Sequence, residues 1–109
     1  MYRVLVIERT PLLGLVHPGN AVQTIEGTAA EALQNIPTLA QAVFITVEDN
    51  NIRYWISGND PTLLYGHLLV AASYQNLYLA NRAAIENLRM ICTAEQNTAE
   101  IHITWYSEK

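Results

Sequence analysis

Few side chains in this chain are of types and spacings that could do chemistry. Three carboxylates lie near one another in sequence, Glu48, Asp49 and Asp60. A pair of carboxylates held at the right separation hydrolyses glycosides. These three, however, flank turn-forming residues, where Asp and Glu ordinarily satisfy turn backbone and solvate the loop. The histidines His17, His67 and His102 are dispersed and form no H-x-H, H-x3-H or Cys/His grouping of the kind that ligates zinc. Ser57, Ser73 and Ser107 stand outside any nucleophile-elbow pattern. Cys92 sits in the apolar run Leu88-Arg89-Met90-Ile91-Cys92 and reads as a small buried residue rather than a reactive thiol. Gly14, Gly19, Gly27, Gly58 and Gly66 stand singly in turn contexts, so no loop of phosphate-cradling type is present. The residues support no enzymatic reading, no cofactor and no metal site.

The elements that would carry these side chains read as β-structure. Tyr2 to Arg9 is a β-branched segment ended by Pro11. Ala21 to Glu26 is a second strand, turned by Gly27. Thr28 to Asn35 is open between two readings: Thr28-Ala-Ala-Glu31 fits a helical capping box, yet the stretch also suits a strand. In Ala42 to Glu48, Val43, Ile45 and Val47 share one face, and Phe44, Thr46 and Glu48 the other. Asp49-Asn50-Asn51 reads as a hairpin turn, returning through Ile52 to Ser57. There Ile52, Tyr54 and Ile56 face one way, and Arg53, Trp55 and Ser57 the other. A short apolar strand or strand end follows near Gly66–Val70. Helical spacing marks Asn81 to Arg89, with Asn81 as a possible cap. Ala99 to Tyr106 alternates most cleanly, with Ala99, Ile101, Ile103 and Trp105 inward and Glu100, His102 and Thr104 outward.

The sum is an all-β, single-domain antiparallel β-sandwich, jelly-roll-like, spanning residues 1–109. It has about seven or eight short strands and at most one or two short helical turns. A chain of 109 residues leaves little room for a second domain. Half the residues are hydrophobic and only 15% are charged, against roughly 25% in an average soluble domain. Such a surface either meets protein or belongs to a neutral, well-solvated Thr/Asn/Gln-rich sandwich. The net charge of −4 and the six scattered Lys and Arg argue against nucleic acid and against a polybasic membrane anchor. No apolar run reaches a membrane span. No secretory leader is read in MYRVLVIERT, which has Glu8 in its apolar stretch. One cysteine cannot make an internal disulfide and suits a reducing cytoplasm.

Two features suggest contact with other chains. Leu12-Leu13-Gly14-Leu15-Val16 is fenced by Pro11 and Pro18, and residues 10–20 read as a loop plugging the core or an arm laid on a neighbour; the arm is the reading favoured. Trp55 lies on the nominal outer phase of its strand, and Tyr65 in a loop. Tyr and Trp are enriched at interface hot spots. Leu12, Leu13, Leu15, Val16, Trp55 and Tyr65 are therefore the candidate partner interface, with carbohydrate stacking on Trp55 or Tyr65 as a lesser possibility.

One stretch carries a resemblance. Ile52, Arg53, Tyr54, Ile56, Ser57, Gly58, Pro61, Thr62, Gly66, His67, Leu68 and Leu69 follow the pattern (V/I)RY.(I/L)(D/S)G..PT…GH(L/I)L. Ile101, Ile103, Thr104, Trp105 and Tyr106 follow a C-terminal (L/I).(V/I)T(Y/W)Y. In these the chain resembles small β-sandwich virion proteins of tailed bacteriophages, over roughly Ile36 to Tyr106. Ser57 stands where the pattern usually has aspartate. The resemblance implies a strand at 28–35, short strands at Asn76–Leu79 and through Arg89 to Thr93, and only a brief turn at 81–89. It further implies a capsid cement or decoration protein bound to the outer capsid surface at capsomer junctions, or else a neck or tail accessory. The implied partners are the major capsid protein and further copies of the chain, in a virion assembled in the host cytoplasm.

Overall fold

The computed structural model describes residues 15–73, 75–94 and 97–108. Eight strands and one short helix follow in the order β1 Leu15–Glu26, β2 Glu31–Ala32, β3 Ala42–Val47, β4 Ile52–Trp55, β5 His67–Leu69, β6 Leu77–Leu79, α1 Arg82–Asn87, β7 Arg89–Cys92 and β8 Thr98–Glu108. They form two antiparallel four-stranded sheets with spatial orders β1-β8-β3-β6 and β2-β7-β4-β5. The expected all-β sandwich is therefore the observed fold class. The expected strand at Tyr2–Arg9 lies outside the described residues.

The pairings are nested. β4 pairs with β5, β3 with β6, β2 with β7 and β1 with β8. The chain is thus one long hairpin, closed at the β4–β5 turn and wrapped so that its arms alternate between the sheets. Additional pairings of β3 with β8 and β4 with β7 complete each sheet.

Alternation builds the core. Val43, Ile45 and Val47 of β3 and Ala99, Ile101, Ile103 and Trp105 of β8 are buried, as their period-two spacing requires. They meet Ile52, Leu69, Met90 and Cys92 of the other sheet in one cluster. Cys92 is fully buried there. Ile85 of α1 and Leu88, just beyond its end, join the cluster. The side chain of Asn81 accepts hydrogen bonds from the Ala83 and Ala84 amides, so the cap read from sequence is the N-cap of a true α-helix rather than the brief turn implied by the resemblance.

Three expectations are corrected, and the open choice over 28–35 is decided. The Asp49-Asn50-Asn51 turn does not close a hairpin: β3 and β4 lie in different sheets, because both flanks of β3 are taken by β6 and β8. The turn is instead an arch whose polar groups tie neighbouring strands. Asp49 Oδ1 accepts from the Glu100 amide at 2.8 Å, Asn50 Nδ2 donates to the Thr98 carbonyl at 2.8 Å, and the Asn51 carbonyl accepts from the Thr93 amide at 3.0 Å. Within 28–35 the outcome is the short strand β2, not a helix. Glu31 serves no capping box; its carboxylate accepts from the Glu26 amide and the Gln23 side chain. Residues 15–20 are not an arm or loop but the first half of β1, with Leu15 opposite Glu108 and Val16 opposite Ser107. Ile56, expected to face inward, is exposed because β4 ends at Trp55.

Gly27 explains why β1 can turn at its end. A Cβ there would lie 2.4 Å from the Ala94 carbonyl oxygen, closer than any side chain tolerates.

Candidate functional site

The segment between β4 and β5 is tied down along its length. The Gly58 amide donates to the Asn87 carbonyl at the end of α1 (3.1 Å). Pro61 is buried. The Thr62 hydroxyl accepts from the amides of Leu64 (3.2 Å) and Tyr65 (3.0 Å), while the Thr62 amide donates to the Tyr65 carbonyl (2.9 Å). This closes a tight turn of the kind Thr side chains support. Arg53, on the outer side of β4, reaches over the segment. Its Nε donates to the Leu63 carbonyl at 3.2 Å and its guanidinium NH1 to the Gly66 carbonyl at 2.9 Å. Gly66 has φ of 132°, and a Cβ there would press on Pro61, Arg53 and the Tyr54 amide at 3.0–3.3 Å. Only glycine fits that backbone.

These contacts give a physical meaning to Arg53, Gly58, Pro61, Thr62 and Gly66: they tie the 56–66 segment, here called the spur, to β4 and to the end of α1. At its tip Leu64 and Tyr65 are 75% and 70% exposed, and Leu68 and Ile56 nearby are 45% and 43% exposed. Single exposed apolar residues are ordinary, whereas a contiguous apolar patch is a candidate contact surface. Beside the spur an open groove of about 530 Å³ is lined by Thr28, Ala30, Pro61, Leu63 and Ile91, among others.

Of the expected interface residues, Tyr65 is at the tip. Trp55 is half-buried, its ring edge-on to His67 with centroids 5.2 Å apart, and Tyr54 packs on the same imidazole at 5.3 Å. Leu12 and Leu13 lie outside the described residues. Leu15 and Val16 belong to β1, on the other sheet, so the spur and this strand are separate features. Leu64, Leu68 and Ile56, exposed in the structure, are not among the residues expected from sequence. The signal that could have found Leu64 was its neighbour Tyr65 in a Pro/Gly-bounded loop; Ile56 was hidden by its apparently inward phase.

Asp49 and His102, two of the residues weighed for chemistry, have hydrogen-bond partners within the first sheet and its turn. Asp49 accepts from the Glu100 and Asn50 amides, which keep its carboxyl below the ordinary value. His102, on the outer face of the first sheet, has Nε2 2.5 Å from a Glu100 carboxylate oxygen and Nδ1 3.8 Å from Glu48. The Glu100 hydrogen bond, with the charges of Glu48 and Glu100, raises its pKa. The two carboxylates sit on opposite ring nitrogens, so they cannot share one metal ion with the histidine. Among the described residues no three His, Cys, Asp or Glu side chains form a metal-ligand group, and no helix is long and apolar enough to cross a membrane. Compared with protein-family models, curated proteins and solved structures, the chain matches none of them.

Proposed function

We propose that this chain is a non-enzymatic structural protein of a tailed-phage particle, seated on the outer capsid surface as a cement or decoration protein. The observation that carries this reading is the spur: an apolar tip, Leu64 and Tyr65, held outward on a backbone fixed by Arg53 and Thr62. A rigid tip loses little entropy on binding, so its apolar burial is available to the contact. The strand orders β1-β8-β3-β6 and β2-β7-β4-β5 support a jelly-roll wrapping of two Greek keys, a form used by capsid-associated domains. The resemblance of Ile52–Leu69 to virion β-sandwich proteins points the same way.

In this role the spur fills a depression at a capsomer junction. Added buried area there resists the outward pressure of packaged DNA, and many identical weak contacts sum through avidity. The exposed ring of Tyr65 also favours a second reading, a glycan- or receptor-binding module at the neck or tail. The deciding measurement is the copy number of this chain relative to the major capsid protein in purified virions. A stoichiometry comparable to the capsid subunit supports cement. A few copies with affinity for sugars supports the second reading, and absence from particles removes both. A Leu64→Ser/Tyr65→Ser variant is expected to keep its melting temperature and lose capsid binding by more than about a hundredfold, measured by co-sedimentation with particles stripped of this chain.

A further inference from the structure

The groove beside the spur has two walls and an apolar floor. One wall is residues 60–63 of the spur, and the other is the bend of residues 28–30 that follows β1. Ile91 closes the bottom. It stands opposite Arg53 on the outer side of the second sheet, yet it is only 6% exposed. Both walls are fixed by hydrogen bonds. Arg53 holds the spur at the Leu63 carbonyl (3.2 Å). The bend is held by the Gly27 amide on the Asn97 carbonyl (2.9 Å) and by the Glu31 carboxylate on the Glu26 amide (3.1 Å). The groove is therefore formed before anything enters it. Its volume of about 530 Å³ lies within the roughly 300–1,000 Å³ of ligand pockets.

Its polar groups are few. Asp60 is the only charged residue of the lining, and it has no hydrogen bond or ion pair among the described residues. The Thr62 hydroxyl oxygen already accepts from the Leu64 and Tyr65 amides. That leaves Asp60 and Thr28 as the side-chain acceptors. Arg53 does not line the groove, and its guanidinium is committed to the Leu63 and Gly66 carbonyls.

We propose that the groove seats a lysine side chain of a partner protein, its aliphatic stem on Ile91, Leu63 and Ala30 and its ammonium at the Asp60 carboxylate. Charge selects the occupant first: an acidic side chain would meet Asp60 in a chain of net charge −4, whereas a cation complements it. The apolar lining selects length. A lysine buries its four-carbon stem along apolar surface and keeps its head in water, and Asp60 is exposed, so the pair forms without burying either charge. The scarcity of acceptors disfavours arginine, whose five donors lie in a fixed fork. The inference rests on the capsid reading only for which protein carries the lysine. In that reading the spur tip and the groove are one epitope, apolar at Leu64 and Tyr65 and anionic at Asp60.

Titration of the full chain with Nα-acetyl-lysine methylamide, and separately with its norleucine and arginine analogues, tests this by NMR. The lysine probe is expected to bind in the millimolar range, to shift the resonances of Ile91, Leu63 and Ala30, and to bind about two- to fivefold more tightly than the norleucine probe, the range of an exposed ion pair. Asp60→Asn is expected to abolish that preference. Ala29→Lys, at an exposed position of the same lining, supplies a competing ammonium and is expected to do the same. Melting temperatures of both variants should match the wild type. Absence of shifts at those three residues, equal binding of the lysine and norleucine probes, a preference that survives Asp60→Asn, or tighter binding of the arginine probe overturns the proposal. No particle enters this titration, so a chain absent from virions removes the capsid reading and leaves the groove result standing.

Discussion

At the scale of single residues, the polar side chains act as ties between strands, and two of them make stability depend on pH. His102 has a raised pKa, so its contribution is fully present below the ordinary value of 6.5 and is lost as pH rises through the higher folded value. Asp49 has a lowered pKa, so its contribution is present above 3.8 and is lost as pH falls through the lower folded value. The melting temperature should therefore decline on both sides of a plateau. His102→Gln should flatten the decline above neutrality and leave the acid limb, while Asp49→Asn should flatten only the acid limb. Thermal melts across the pH range check both, and since both groups are exposed the changes should be small. A different imperfection lies at Tyr78, whose hydroxyl is buried with no hydrogen-bond partner among the described residues. Tyr78→Phe removes that unsatisfied oxygen and is expected to stabilise the protein by about 1 kcal/mol, read from urea denaturation.

At the scale of elements, α1 depends on its cap. Asn81→Ala takes away the acceptor for two helical amides and should cost about 1 kcal/mol, measurable by chemical denaturation. Arg82 of the same helix donates to the carbonyls of Pro37 and Ala40, so the helix also fixes the approach to β3. How far the elements can be read from sequence depends on what sets each. Ala99 to Tyr106 is legible because every second residue is apolar and buried, and Asn81 because its own side chain is the cap. The destination of β4 is not legible: Asp49-Asn50-Asn51 carries the same residues whether it closes a hairpin or arches between sheets, and only the occupancy of both flanks of β3 decides. β2 was undecidable for a similar reason, since Glu31 serves a cap or a strand tie equally well. Arg53 was visible as part of a pattern, but its reach to the Leu63 and Gly66 carbonyls is a matter of three-dimensional proximity. The spur tip was only half legible, because Tyr65 announces itself by type while Leu64 resembles any core leucine.

At the scale of the whole molecule, one hydrophobic cluster draws on both sheets. Ile45, fully buried in β3, touches that shared core, so Ile45→Ala should cost about 2–5 kcal/mol. Because the core is single, the loss should appear equally in amides of both sheets. Native-state hydrogen exchange checks this: a loss confined to β3 and its neighbours would mean that the sheets unfold separately.

The nested order of the pairings also constrains how the chain reaches this state. The β4–β5 pair is closed by the shortest connection, and each further pair, β3 with β6, β2 with β7 and β1 with β8, spans a longer stretch of chain than the last. Loop closure therefore favours a sequence of events that starts at the Arg53–Gly66 clasp and proceeds outward, with β1 joining last. The segment that is latest to dock is then the longest edge strand among the described residues, so the time before β1 is completed is when this chain is most exposed to pairing with the wrong neighbour.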